Sequence, residues 1–491
     1  MSPTSRFASI RNGEAVDFSK VPVVSVEEFR SSILKMAATG HRLCALVRDA
    51  KKDRTAGGLL AVLADDAGGK LFLAASQPMA RYPSLTPDLP QAHLFEREIH
   101  EDCGIVPEGH PWLKPVRLVP PDKVAFFKEE GAEIHEVAVG PIHAGIIEPG
   151  HFRFQCHGET VHHLEIQLGY QHRGARRLLS AGLDRRSLAV AESICGDTAV
   201  AHAWAYCAVW EALSGCAPSL RAEAIRAVLL EAERLANHIG DLGAISNDVG
   251  YLPAAAYFGR MRGDFLNMLM LVSGNRYGKG ILKPGGAAFD LPDEMRAQMI
   301  ETVKRSIVQV REVGNMFFGE PSVISRLEGV GVISSKVCDD LGLVGVCARA
   351  AGVDRDVRQD HPFGLYRFRY IPVMRLDSGD VFARAMVRFL EAQRSLEFLR
   401  GLLGHLPEGK SAVPCGAPAA NQIAVSLIEG WRGEVCHIAK TGRDGKYEWY
   451  QVFDPSFHNW IGVAMALRGG EISDFPLCNK SFNLSYAGHD L

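Results

Sequence analysis

No two of the eleven cysteines in this 491-residue chain stand in a C-x-x-C pair; they are scattered from Cys44 to Cys478. That spacing excludes a zinc ribbon or a self-contained iron–sulfur cluster built from local thiolates, and leaves buried small hydrophobes of a reducing compartment as the default role. The amino terminus, MSPTSRFASIRNGEAVDF, lacks the charged start and apolar core of a secretory signal, and no uncharged apolar run is long enough to span a bilayer. The expected location is therefore cytoplasmic. An excess of charge is lacking too: the net charge is -3, with basic and acidic residues interspersed, so no nucleic-acid footprint is expected. Internal repeats and low-complexity tracts are absent, which excludes a solenoid.

What is present is an ordinary globular balance, 47% apolar and 23% charged, on a chain long enough for two to three domains. VPVVSVEEFRSSILKMA predicts a short strand, a Ser25 cap and an amphipathic helix, and the next segment alternates apolar stretches with Asp, Gly and Lys turns, as hairpin strands do. A small α+β domain over 20–120 follows from this. After a Pro-dense break, HFRFQCHGETVHHLEIQL reads as an antiparallel meander turning at Gly158 and Glu159. Three long helical patterns follow: one opening at Pro218 and Ser219, one at DEMRAQM, and one capped by Ser378 or Asp380. A hairpin is expected about Gly442 to Gly445. The fold class is α+β, a small first domain followed over 134–491 by a mainly helical domain with a peripheral antiparallel sheet.

The run Ala191 to Leu213, AESICGDTAVAHAWAYCAVWEAL, holds Cys195 and His202 in a small-residue, apolar stretch that suits a buried helix. A soft metal would need further thiolates converging on Cys195 from elsewhere.

Two sets of motifs support a family resemblance. HLFEREIHEDCGIVPEGHPWL resembles the signature of the 30-kDa subunit of respiratory complex I through Glu96, Arg97, Glu98, Gly104, Ile105, Gly109, His110, Pro111 and Leu113, with Glu101 and Cys103 departing from it. Its charges are read as a salt-bridged loop that docks on a neighbouring subunit. GPIHAGIIEPGHFRF, LGYQHRGARRLL, ESICGDTAVAHAWAYC, GNRYGKGILKPGG, EGWRGEV and DPSFHNW together resemble the large subunit of group 4 [NiFe] hydrogenases and the 49-kDa subunit of complex I. The fused arrangement is similar to the large subunits of formate hydrogenlyase and hydrogenase 4.

In that family four thiolates hold a nickel–iron centre. Cys195 matches the first, but Thr198, Ser485 and Gly488 stand at the other three positions, so the resemblance carries over positions of a former metal site and no resident cofactor. Quinone chemistry of the complex I kind has lost its donors as well: His143 is kept, Ile147 stands for the second His, and AVAESICGD contains no Tyr. Glu148 matches the glutamate that shuttles protons in hydrogenases, with a buried ion pair as its alternative, and His202 is either a cavity residue or a satisfied core histidine. Arg349, Asp354, Asp356, Arg358, Asp380 and Arg384 resemble the charged set of an internal polar path, with caps and surface ion pairs as the alternative.

The resemblance implies a peripheral subunit on the inner face of a membrane complex. Its partners would be an iron–sulfur small subunit, carrying the cluster, and ion-translocating membrane subunits. A non-redox structural or coupling subunit, and a modified quinone-binding subunit, remain as alternatives.

Overall fold

The near-continuous apolar stretches between residues 42 and 76 become the buried centre of a five-stranded sheet. The computed structural model describes residues 3–49, 57–117, 125–144, 147–182 and 185–491. The amino-terminal part of the chain contains strands β1 (Ala8–Ile10), β2 (Ala15–Asp17) and β3 (Val23–Val24), helix α1 (Val26–Ala37), strands β4 (Arg42–Asp49), β5 (Gly58–Asp65), β6 (Lys70–Ser76) and β7 (Arg81–Pro83), helix α2 (His93–Cys103), and strand β8 (Val106–Glu108). The sheet runs β1-β6-β5-β4, with β3 added parallel to β6. Ser25 caps α1 by accepting from Glu28 N at 3.2 Å, and Phe29, Ile33 and Met36, on one face, are buried.

The rest of the chain opens on a meander of β9 (Ile134–Val139), β10 (His151–His157) and β11 (Thr160–Gln167), followed by α3 (Ala175–Ala181), α4 (Arg185–Ala191), α5 (Ala199–Ser214), α6 (Leu220–Asp248) and α7 (Leu252–Ser273). A short hairpin, β12 (Leu282–Lys283) and β13 (Gly286–Ala287), leads to α8 (Asp293–Phe318), α9 (Pro321–Leu327), α10 (Ser335–Leu341), α11 (Val346–Arg349), α12 (Val357–Asp360) and α13 (Val381–Gly404). Strands β14 (Gln422–Glu429), β15 (Glu434–Thr441) and β16 (Tyr447–Phe453) precede α14 (Pro455–Leu467), α15 (Phe475–Phe482) and α16 (Tyr486–Asp490). Helix α6 is the axis: α5, α7 and α13 pack around it, and α8 closes the bundle against α7 and α13. It is buried nearly end to end, charged residues included. Those charges need partners from other elements, because an unpaired buried ion is costly.

The amino-terminal and carboxyl-terminal parts of the chain share strands and ion pairs. The strand β1 belongs to the first sheet, whereas β2 pairs antiparallel with β14 and completes the four-stranded order β16-β15-β14-β2. Asp66, just after β5, receives Arg42 at 3.0 Å, Arg355 Nε at 2.9 Å and the His361 ring at 3.0 Å, while Arg42 also pairs with Glu434.

The first family signature forms a helix, not a loop, and its charges turn inward. Glu96 in α2 accepts from Ser84 and Thr86 and from Leu85 N, while Glu98 pairs with Arg117 and with Arg176 of α3. These desolvated charges find their partners within the chain.

Candidate functional site

The stretch before α5 differs from the helix its composition suggests. Residues 192–198 form turns, the helix begins only at Ala199, and Thr198 is its N-cap residue without a side-chain cap. The cap comes from α6: Glu233 accepts from Val200 N at 2.7 Å and Ala201 N at 3.2 Å. Cys195 therefore lies in a turn and His202 one turn into the helix.

Cys195 is buried, and its thiol donates to Asp197 Oδ1 at 3.0 Å. Burial, then the Asp197 charge, pushes that thiol well above its ordinary range, so it stays protonated. Thr198 Oγ1 stands 3.4 Å from the sulfur. Over both lies Arg432, from the β14–β15 turn. Its Nη1 is 3.3 Å from Cys195 Sγ, 3.2 Å from Thr198 Oγ1 and 2.6 Å from Asp197 Oδ1, and its Nη2 is 2.9 Å from Asp197 Oδ2. Burial opposes ionisation of Asp197, but the guanidinium holds its carboxyl down at about 2. The neighbouring Trp431 donates its indole N–H to Thr198 Oγ1 at 3.1 Å.

The carboxyl-terminal segment meets this cluster through Arg432, whose Nε donates to Asn483 O at 2.5 Å. Ser485 caps α16, accepting from Gly488 N at 2.8 Å, and Gly488 is pressed against Asp454: a Cβ there would lie 2.6–2.9 Å from the carboxylate. Glycine is required by this close approach.

From Asp454 a buried hydrogen-bonded line runs inward, one that sequence reading located only at His202. His202 Nε2 is 3.0 Å from Asp454 Oδ2, His202 Nδ1 is 3.0 Å from His437 Nε2, and His437 Nδ1 is 2.7 Å from Tyr450 Oη. All four residues are fully buried. Burial opposes ionisation of Asp454, yet the contact with His202 and the nearby Arg432 keep its carboxyl below the ordinary range, so it only accepts. His437 is kept neutral, first by burial and then by His202, so one of its ring nitrogens donates and the other accepts.

Glu148 is half-buried; its carboxylate accepts from Tyr486 N at 3.2 Å, and Arg432 and Asp197 lie within electrostatic reach. Burial raises its pKa. Rather than the buried arginine pair weighed as its alternative, it carries backbone contacts to the segment holding Ser485 and Gly488. The His143 ring is engaged in its own loop, with Nε2 2.8 Å from Gly150 O.

The polar-path set divides. Arg349, Asp356 and Arg358 are buried in one network: Arg349 meets Glu391 and Glu429 at 2.8 Å each and Asp356 at 3.6 Å, while Arg358 meets Asp356 at 2.7 Å and Glu231 at 3.1 Å. Arg234 and His238 of α6 join at Glu391. Asp354 is not brought there; it is exposed and faces Arg375 at 3.4 Å. Asp380 caps α13, accepting from Ala383 N at 2.8 Å, and Arg384 donates to Ser481 Oγ and to the carbonyls of Gly379 and Gly331. Both are buried, apart from the network.

Comparison with known proteins gives the frame for this geometry. The family described as respiratory-chain NADH dehydrogenase, 49 Kd subunit, matches residues 248–422, and the 30 Kd subunit family matches residues 50–129. The chain is 30% identical over 371 residues to the membrane-bound hydrogenase subunit alpha of Pyrococcus furiosus, covering 71% of this chain and 85% of that one. This chain belongs to the family of membrane-bound hydrogenase and complex I 49-kDa subunits. Formate hydrogenlyase subunit 5 of Escherichia coli is 29% identical over 438 residues, 83% of this chain and 77% of the relative. A subunit of the NADH-quinone oxidoreductase of Dehalococcoides mccartyi is 29% identical over 343 residues, 68% of this chain and 92% of the relative. These relatives are subunits of multi-subunit hydrogenase and complex I-like assemblies.

The side chains about Cys195 do not fit a nickel–iron centre held by thiolates: the thiol donates to Asp197, the Thr198 hydroxyl stands beside it, and the Arg432 guanidinium lies against both. Among the described residues no group of three or more His, Cys, Asp or Glu side chains is set to hold a metal ion. Among the same residues no helix is long and apolar enough to cross a membrane.

Proposed function

We propose that this chain is the large subunit of a formate-hydrogenlyase-like or NADH-quinone-oxidoreductase-like membrane complex, peripheral on its inner face. It docks an iron–sulfur small subunit and ion-translocating membrane subunits, and carries no nickel–iron centre of its own. The observation behind this reading is Arg432. Its charge lies against Cys195 and Thr198 and is neutralised by Asp197. The Cys195 thiol donates to Asp197, and a thiol with a hydroxyl beside it offers a soft metal no set of thiolates.

The complex I-like network of Arg349, Asp356, Arg358 and their carboxylates supports a coupling role as the second reading. A buried set of charges with several alternative pairings is an element that a neighbouring subunit can bias. The test is purification from membranes of a cell expressing the whole complex, followed by metal analysis and identification of the associated chains. The expected result is co-purification with an iron–sulfur subunit and membrane subunits, and no nickel assignable to this chain. Stoichiometric nickel would sink the lost-centre reading, and recovery as a free chain would sink the assembly.

A further inference from the structure

A cleft opens between α2 on one side and β11 and α14 on the other, and its cavity measures about 50 Å³. A water needs about 10–15 Å³ on that measure, so the space holds roughly four waters or one small organic molecule. Its walls are mostly apolar, with Leu94, Val116, Leu168, Trp460 and Ile461 among them, and His93, Arg97, Gln167 and His489 line it as well.

Arg97 brings a charge to this cavity. It is 8% exposed, and two of its five N–H donors go to carbonyls: Nε donates to Lys114 O at 2.7 Å and Nη2 to Pro115 O at 3.0 Å. The guanidinium carbon lies 4.6 Å from the centroid of the Trp112 ring. Among the described residues no carboxylate is in ion-pair contact with Arg97. The acidic groups of the neighbourhood are engaged elsewhere: Glu165 with Lys114 at 2.7 Å and Phe127 N at 2.8 Å, Glu98 with Arg117 and Arg176, and Glu101 with Arg117 N at 3.0 Å. Burial lowers the Arg97 pKa to about 10 in spite of the Glu165 and Glu101 charges, so the guanidinium is still charged at neutral pH. Burial also holds the His93 ring down at about 3 and lowers that of His489, so both imidazoles line the cavity uncharged.

A desolvated cation without a counter-ion is costly, and an anion in the cavity would relieve that cost. The single charge matches a monoanion, the planar fork of the guanidinium matches a carboxylate, and the apolar walls match an alkyl group. Phosphate or sulfate would bring a second charge that no lining side chain neutralises. We propose that this cleft is a binding site for a small aliphatic monocarboxylate of acetate to propionate size, its carboxylate accepting from Arg97 and its alkyl end against the apolar walls. The ligand joins α2 to β11 and α14 across the cleft, so its binding stabilises the folded chain.

The test titrates the purified full chain with acetate, following the heat of binding and the unfolding midpoint. The expected result is saturation at one acetate per chain, a raised midpoint, and neither effect from acetamide or chloride at the same concentrations. Arg97→Gln should weaken acetate binding about tenfold or more. Ala464→Leu, which fills the cavity from α14 and leaves the Arg97 hydrogen bonds in place, should abolish it. The comparison with acetamide on the wild-type chain decides the matter even where a variant does not fold. Acetate that does not saturate, acetamide or chloride that binds equally well, or acetate binding unchanged in either folded variant would overturn the proposal.

Discussion

Arg432 is the residue on which the site turns, and the cost of removing it can be reasoned from its surroundings. Arg432→Ala leaves Asp197 without its counter-charge, while Thr198 keeps the Trp431 indole as a donor. Breaking a buried pair costs about 3–5 kcal/mol, but Asp197 retains some solvent access, so a loss of about 2 kcal/mol is expected in urea unfolding. Thiol chemistry cannot be restored at Gly488: Gly488→Cys, and equally Gly488→Ala, drives a Cβ into the Asp454 carboxylate and should destabilise by about 1–3 kcal/mol, read as a lower unfolding midpoint. A variant as stable as the parent would refute that steric account. Cys195, Thr198, Ser485 and Gly488 were located in the sequence by their match to the family motif. Arg432 and Asp454 lie in EGWRGEV and DPSFHNW, which carried the resemblance but were given no role. His437 and Tyr450 lay in no motif, because a relay assembled from α5, β15, β16 and the start of α14 leaves no local spacing to read. The one usable signal was chemical: the uncommon polar residues inside the apolar strands β15 and β16.

Among elements, those whose burial follows one period were legible. Helices α6, α8 and α13 lie where apolar spacing puts them, Ser25, Ser219 and Asp380 act as caps, and β10 and β11 turn at Gly158. The start of α5 was not, since small apolar residues fit turn and helix alike and the deciding cap, Glu233, sits on another helix. The inward turn of the α2 charges was hidden for the same reason, their partners lying beyond the motif. The link between β5 and the second domain gives a pH prediction. Burial opposes ionisation of Asp66, but Arg42, His361 and Arg355 hold its carboxyl far below its ordinary value. A depressed folded pKa contributes stability that is present above the unfolded value, near 4, and is lost as pH falls below it. Asp66→Asn should therefore cost about 2–3 kcal/mol at pH 7, with the difference from wild type shrinking as pH drops through 4 and below. Denaturant titrations of both proteins at a series of pH values check this, and a pH-independent difference would count against the ion cluster.

At the scale of the molecule, the length suggested two to three domains, and the expected mixed helix-and-sheet architecture is the one observed. A strand exchange at the amino terminus cannot be read from residues 8–17, because two three-residue strands carry no periodicity. Its consequence is topological. The chain leaves the first sheet through β1, enters the second through β2, and returns, so the covalent order of the polypeptide and the order of mechanical connection differ. A protease site engineered after Glu130 would cut the chain between the two parts, yet the halves should co-elute under native conditions, and deletion of residues 1–17 should weaken that association after the same cut without abolishing it, because the Arg42, Asp66 and Glu98 pairs remain. Seen this way, the first seventeen residues behave as a rivet through two plates: pulled from its two ends, the molecule would resist until β2 is sheared from β14, and a change felt by either sheet has a short, stiff route to the other.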